Sequence, residues 1–196
     1  DRCNIPEAKK CVELIIEHIK NHPDLSLGII AFSEKQQSTI EQVLYEYREQ
    51  HPEYEWFFDE NKDEPFFIKN LENVQGDERD VILFSIGYGP DKSGTVRLNF
   101  GPLNREGGWR RLNVAVSRAR MEMIVFSTLR PDQIDITRTN SEGIISLKSF
   151  LEFAKNGKNC LPRDKKDCAG EGIEDIIAHK IEEMGYKTNV DIGSSG

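Results

Sequence analysis

Short, unbroken apolar runs set the strongest limit on what this chain can fold into. Leu27-Gly28-Ile29-Ile30-Ala31-Phe32 and Val81-Ile82-Leu83-Phe84-Ser85-Ile86-Gly87 lack the polar alternation of a half-exposed strand. They are also too short for an ordinary helix. Bounded by turn residues, such runs read as strands buried on both faces, as in a parallel sheet covered by helices. The segments around the first run complete the pattern. Ile5–Lys20 carries Val12, Ile15, Ile16 and Ile19 at helical spacing behind Pro6, and Asn21-His22-Pro23-Asp24 stops it. Ser33 is placed to cap a second helix with Ile40, Val43, Leu44 and Tyr47 on one face. Helix, strand and helix in that order are the rhythm of an α/β sheet wound on both sides.

Further along, His51–Pro65 is acidic and aromatic (Tyr54, Trp56, Phe57, Phe58) and reads as a surface excursion pinned by its aromatics. Phe66–Lys69 is expected as another strand. Tyr88–Gly108 is irregular and broken by glycine and proline, with a short strand expected at Thr95–Phe100; a loop of that length is usually functional. Gly108–Arg120 reads as a helix and Met123–Ser127 as a strand. Leu129–Asp132 is a turn, and Gly143–Gly157 a helix with glycine near its end. Lys158–Gly172 is polar and aperiodic, a linker, and Ile173–Met184 is one more helix. The expected organisation is therefore a domain over 1–157, a linker over 158–172 and the start of a second domain over 173–196.

Composition removes several classes. The 196 residues are 37% hydrophobic and contain no apolar run long enough to span a bilayer. No secretory signal opens the chain, so the expected location is cytoplasmic. The start at Asp1 without a Met leads us to expect a piece of a longer protein. Cys3, Cys11, Cys160 and Cys168 form no CxxC and read as reduced thiols, without a metal site. A net charge of −8 argues against a protein coated with nucleic acid, yet the charge is segregated: between Arg105 and Arg120 lie five arginines and one acid, Glu106.

The arginine-rich stretch Gly108-Trp109-Arg110-Arg111-Leu112-Asn113-Val114-Ala115-Val116-Ser117-Arg118-Ala119-Arg120 carries the chemistry. Leu112, Ala115, Val116 and Ala119 share one helical face, while Arg110, Asn113, Ser117 and Arg120 form a polar flank. Two readings fit: a solvated basic face, or donors aimed at phosphate. Asn113 and Ser117, poor helix formers in mid-helix, favour the second. Arg118, near the helix end, is placed to reach across the sheet edge to a phosphate held elsewhere. A guanidinium used in that way stabilises the charge of phosphoryl transfer, with an effect of roughly 10³–10⁵ in rate. The chain has no GxxxxGK[ST] loop and no strand ending in paired acids, so at most half of a nucleotide site is present.

Three motifs in order resemble superfamily 1 helicases, and specifically their second RecA-like domain. Leu27–Gln37 (LGIIAFSEKQQ) is similar to motif IV, Glu72–Ser85 (ENVQGDERDVILFS) to motif V with its QGxExD pattern, and Leu112–Arg120 (LNVAVSRAR) to motif VI. The glycine-rich approach to the helix and the later Arg130-Pro131-Asp132…Leu147-Lys148-Ser149-Phe150-Leu151 pattern resemble large bacterial helicases that carry a nuclease-like domain after the motor. Residues 172–196 look like the opening of a very-short-patch-repair-like endonuclease fold, with Glu174 as its first acid; a plain amphipathic helix is the competing account.

The resemblance implies an α/β, RecA-like, mostly parallel sheet with helices on both faces and a helical extension. It implies an ATP-dependent helicase or translocase whose ATP and Mg²⁺ are held chiefly by an N-terminal RecA-like domain of the same chain. Arg118 would be the arginine finger, with Gly76 and Glu78 on the ribose and γ-phosphate side. Gln75 would couple that site to the nucleic-acid groove. Candidate contacts to single-stranded nucleic acid, DNA favoured by the nuclease-like tail, are Tyr88, Arg97, Asn99, Arg105 and Arg110. The fragment alone is expected to be inactive and to lack nuclease activity. The alternative is a non-catalytic RecA-like module that binds nucleic acid or a protein.

Overall fold

The computed structural model describes residues 3–91 and 93–157, within a compact unit spanning Asp1–Cys160. The expected linker over 158–172 and the nuclease-like opening over 173–196 lie outside the described residues.

Among the described residues four strands form one sheet in the order β2-β1-β3-β4, with every neighbouring pair parallel. They are β1 (Leu27–Ala31), β2 (Phe67–Asn70), β3 (Arg79–Ser85) and β4 (Ala119–Phe126). The two apolar runs are the central pair, so each is covered on both faces as their composition requires. Alternation along the strands divides the core. Ile29, Ala31, Val81 and Leu83 pack against α1 (Ile5–Asn21) and α2 (Glu34–Gln50), whereas Ile30, Ile82 and Phe84 pack against α3 (Gly108–Val116) and α4 (Glu142–Asn156). The α/β class with a parallel sheet and helices on both faces is as the sequence implied.

Local chemistry sets the helix starts. Asn4 caps α1, its side-chain oxygen accepting the Glu7 N–H at 3.1 Å, with Pro6 in the first turn where a missing N–H costs nothing. Ser33 caps α2 by accepting the Gln36 N–H at 3.1 Å. Residues 52–58 coil into a 3₁₀ segment whose Phe57 and Phe58 are buried against Phe66, the aromatic pinning expected there.

Two expectations are corrected. Thr95–Phe100 is not a strand: the Asp91 carboxylate accepts the N–H groups of Ser93 and Thr95, and Asn104 bridges Phe100 N–H and Leu98 C=O. Side chains, not a ladder, satisfy that backbone, while Val96, Phe100 and Leu103 anchor the loop in the core. The arginine-rich helix also ends earlier than its periodicity indicates. Ser117 is the C-cap of α3, and Ala119 already pairs with Arg79 in β4. Ala119 and Arg120 are therefore strand residues, and Ser117 is not in mid-helix. Among the described residues no helix is long and apolar enough to cross a membrane.

Candidate nucleotide edge and nucleic-acid groove

A parallel sheet gathers the beginnings of its strands on one edge and their ends on the other. β3 is seven residues long, so the two edges stand roughly 20 Å apart. The residues singled out from the sequence divide between them.

At the starting edge, the register Arg79↔Ala119 sets Glu78 and Arg118 on neighbouring strand entrances, and Arg79 N–H donates to the Arg118 carbonyl at 3.1 Å. Arg118 closes its own helix: its Nε–H donates to the Val114 carbonyl and its Nη2 to Ser117 Oγ, both at 2.9 Å. A guanidinium has five N–H donors. Those on Nη1 have no protein partner among the described residues, and Arg118 forms no ion pair there. Gln75, Gly76 and Glu78 are exposed in the approach to β3. Gly76 holds φ +92, with open space where a Cβ would stand, so its backbone is the constraint, not crowding. The loop is tied from both sides. Lys69 pairs with Asp77, and the buried Arg79 guanidinium donates to the Glu78 and Pro65 carbonyls while lying 4.9 Å from the Phe67 ring.

Arg120 does something the sequence did not indicate. Its guanidinium grips the Glu64 carboxylate on two atoms, approaches Asp80 at 2.9 Å and Glu78 at 3.7 Å, and donates to Ser26 Oγ at 3.1 Å. Arg120 holds the Glu64 carboxyl below its ordinary range, and the Ser26 N–H, followed by Arg120, does the same for Asp80. A residue expected on a phosphate-facing flank is instead the hub of an acidic cluster.

At the opposite edge a groove is lined by Phe32, Ser33, Lys35, Tyr88, Asn99 and Arg105, among others. Three of the proposed nucleic-acid contacts, Tyr88, Asn99 and Arg105, thus meet there. Arg97 and Arg110 are exposed but do not line it; the Arg110 guanidinium lies 5.3 Å from the Trp109 ring. Arg105 pairs with Glu72 at 3.3 Å. Ser33 and Lys35 escaped the sequence reading. Their signal was available: the N-terminus of a helix that follows a buried strand presents N–H groups and a positive dipole end to an anion.

Beneath the groove lies a buried polar cluster that sequence reasoning also missed. Glu7 is 1% exposed, and its Oε1 accepts from Ser85 Oγ at 2.8 Å and from Gly87 N–H at 2.7 Å. Burial pushes its carboxyl above the ordinary range, against the lowering effect of those hydrogen bonds. The adjacent Cys11 thiol is pushed up to about 12, chiefly by burial, which makes it an inert thiol.

A family model for the AAA domain matches residues 1–130. An uncharacterized ATP-dependent helicase of Mycoplasma genitalium, MG140, is 35% identical over 162 residues, covering 78% of this chain and 14% of that protein. Its homolog in Mycoplasma pneumoniae is 35% identical over 158 residues, with the same shares. The chain thus spans a small part, 14%, of the curated relatives it matches. Among solved structures, the C-terminal domain of a possible DNA helicase from Lactobacillus plantarum WCFS1 is similar at 14% identity and a TM-score of 0.37, covering 63% of this chain and 68% of that one. The chain belongs to the AAA domain family, and it is similar in sequence to ATP-dependent helicases.

Proposed function

We propose that this chain is the C-terminal motor half of an ATP-dependent superfamily 1 helicase or translocase acting on single-stranded nucleic acid, DNA in preference to RNA. In this reading ATP lies between the strand-entrance edge and an N-terminal RecA-like domain of the same protein. Arg118 acts as the arginine finger, with Gln75, Gly76 and Glu78 beside it. The observation that carries the reading is the placement of Arg118 and Glu78 on neighbouring strand entrances at one edge, with guanidinium donors left over, in a chain that has no phosphate loop. Phosphoryl transfer needs such donors where charge develops, and it gains most when they are fixed beforehand.

In this reading the Mg²⁺ ligands, like the phosphate loop, belong to the other domain. What this chain supplies is orientation and charge. Arg79 and Lys69 hold the Glu78 loop, and the end of α3 holds Arg118. Opening and closing of the cleft would shift the groove at the far edge against a second strand site on the partner domain.

The half-site makes a direct prediction: the isolated chain hydrolyses ATP no faster than buffer, even with single-stranded DNA present. Robust turnover by the isolated chain contradicts it. The rival reading, a non-catalytic binding module, is favoured if the gene carries no phosphate loop upstream of these residues.

A further inference from the structure

The buried cluster around Glu7 belongs to neither edge's chemistry, yet its bonds converge on one groove residue. Gly87 N–H, immediately before Tyr88, donates to Glu7 Oε1 at 2.7 Å. The Tyr88 carbonyl accepts from Thr128 Oγ1 at 3.3 Å, and Thr128 Oγ1 accepts from Asn4 Nδ2 at 3.0 Å. Asn4 Nδ2 also reaches Glu7 Oε2 at 3.3 Å. Tyr88 is therefore tied on both sides of its backbone to the first turn of α1.

The rest of the cluster fixes that turn. Gln36, fully buried, accepts the Asn4 N–H at 2.7 Å and donates to Ser85 Oγ at 3.1 Å. Gly87 has φ +69, and a Cβ there would stand 2.8 Å from Gln36 Cγ, so the bend before Tyr88 has one shape and no room for a side chain. The Tyr88 ring then leans edge-on against Phe100, at 5.1 Å between centroids, in the groove wall. A buried carboxylate is a costly way to fill space; an apolar side chain would pack α1 more cheaply. A carboxylate is suited to grip a backbone N–H and a hydroxyl at one point.

We propose that Glu7 is a positioning residue for nucleic-acid binding, setting Tyr88 in the groove through Gly87 and, by way of Asn4 and Thr128, through the Tyr88 carbonyl. This rests on the reading of that groove as a single-strand site. Glu7 lies across the sheet from the nucleotide edge, so its effect belongs to strand binding and not to hydrolysis.

The test uses the full-length protein and a short fluorescent oligothymidylate. Glu7→Ala removes the grip on Gly87, whereas Glu7→Gln keeps an oxygen able to accept from it. Thr128→Val, at an exposed position, cuts the second tie without touching the core. Glu7→Ala and Thr128→Val should each weaken oligothymidylate binding about tenfold, the scale of one lost base–aromatic stack, and leave ATPase without nucleic acid unchanged. Glu7→Gln should remain near wild type. If Glu7→Ala does not fold, Thr128→Val carries the test alone. A lowered melting temperature with unchanged oligothymidylate affinity would overturn the proposal and reduce Glu7 to a packing role. If the wild-type protein binds no oligothymidylate, the groove reading fails, and this inference with it.

Discussion

At the scale of single residues, the two arginines of the Ser117–Arg120 segment have opposite environments. Arg118 rests on its own helix end, with donors to spare; Arg120 is surrounded by Glu64, Glu78 and Asp80. Motif spacing picked out Arg118, but nothing in the spacing told Arg120 apart from it, because Glu64 lies 56 positions away. The pairing has a measurable signature. Glu64 and Asp80 have carboxyls lowered in the folded state, so their contribution is full above the unfolded value of about 4 and is lost as pH falls from there through the lower folded values. Arg120→Gln removes the largest of the interactions that lower Glu64, while Ser26 still touches both Glu64 and Asp80. The melting temperature of the variant should therefore trail wild type at neutral pH, and the gap should narrow as pH falls through the lowered folded values. A gap that does not change with pH would mean that Arg120 acts through packing alone.

At the scale of elements, the sheet and its helices were legible because their signals are local. Buried runs made β1 and β3, Ser33 capped α2, and the periodicity of α1 matched its observed span. The junction of α3 and β4 was not, since apolar spacing continues through Ala119 as if the helix went on. Ser117 and Arg118 side chains both donate to the Val114 carbonyl, and pairing with Arg79 draws the chain into the sheet. The Glu7 cluster was hidden for a related reason: its partners Ser85 and Gly87 are distant in sequence and were invisible to spacing. Packing of α3 on α4 turns on the Leu103 carbonyl. A Cβ at Gly108 would stand 2.4 Å from that oxygen, and one at Gly143 2.1 Å, while Ser141 Oγ donates to it at 3.0 Å. Backbone cannot give way there as a side chain would. Gly108→Ala and Gly143→Ala should each destabilise the chain by about 1–3 kcal/mol, read from urea unfolding midpoints. A midpoint unmoved in both would show that the helices shift apart at little cost.

At the scale of the whole molecule, the sheet keeps the two groups of candidate residues apart. Arg118 and Glu78 stand where strands begin, and Tyr88, Asn99 and Arg105 where they end. The proposed motor needs such a division, because nucleotide turnover at one edge would have to be felt at the other without the two ligands meeting. The central claim is that Arg118 completes an ATP site built on another domain. Its most direct test is hydrolysis and nucleotide binding by the full-length protein carrying Arg118→Ala, with Arg118→Lys beside it. The account predicts that ATP affinity stays within a few-fold of wild type while turnover falls by roughly 10³ or more, and that lysine, lacking the planar fork, recovers little of it. Turnover within a few-fold of wild type in Arg118→Ala would contradict it.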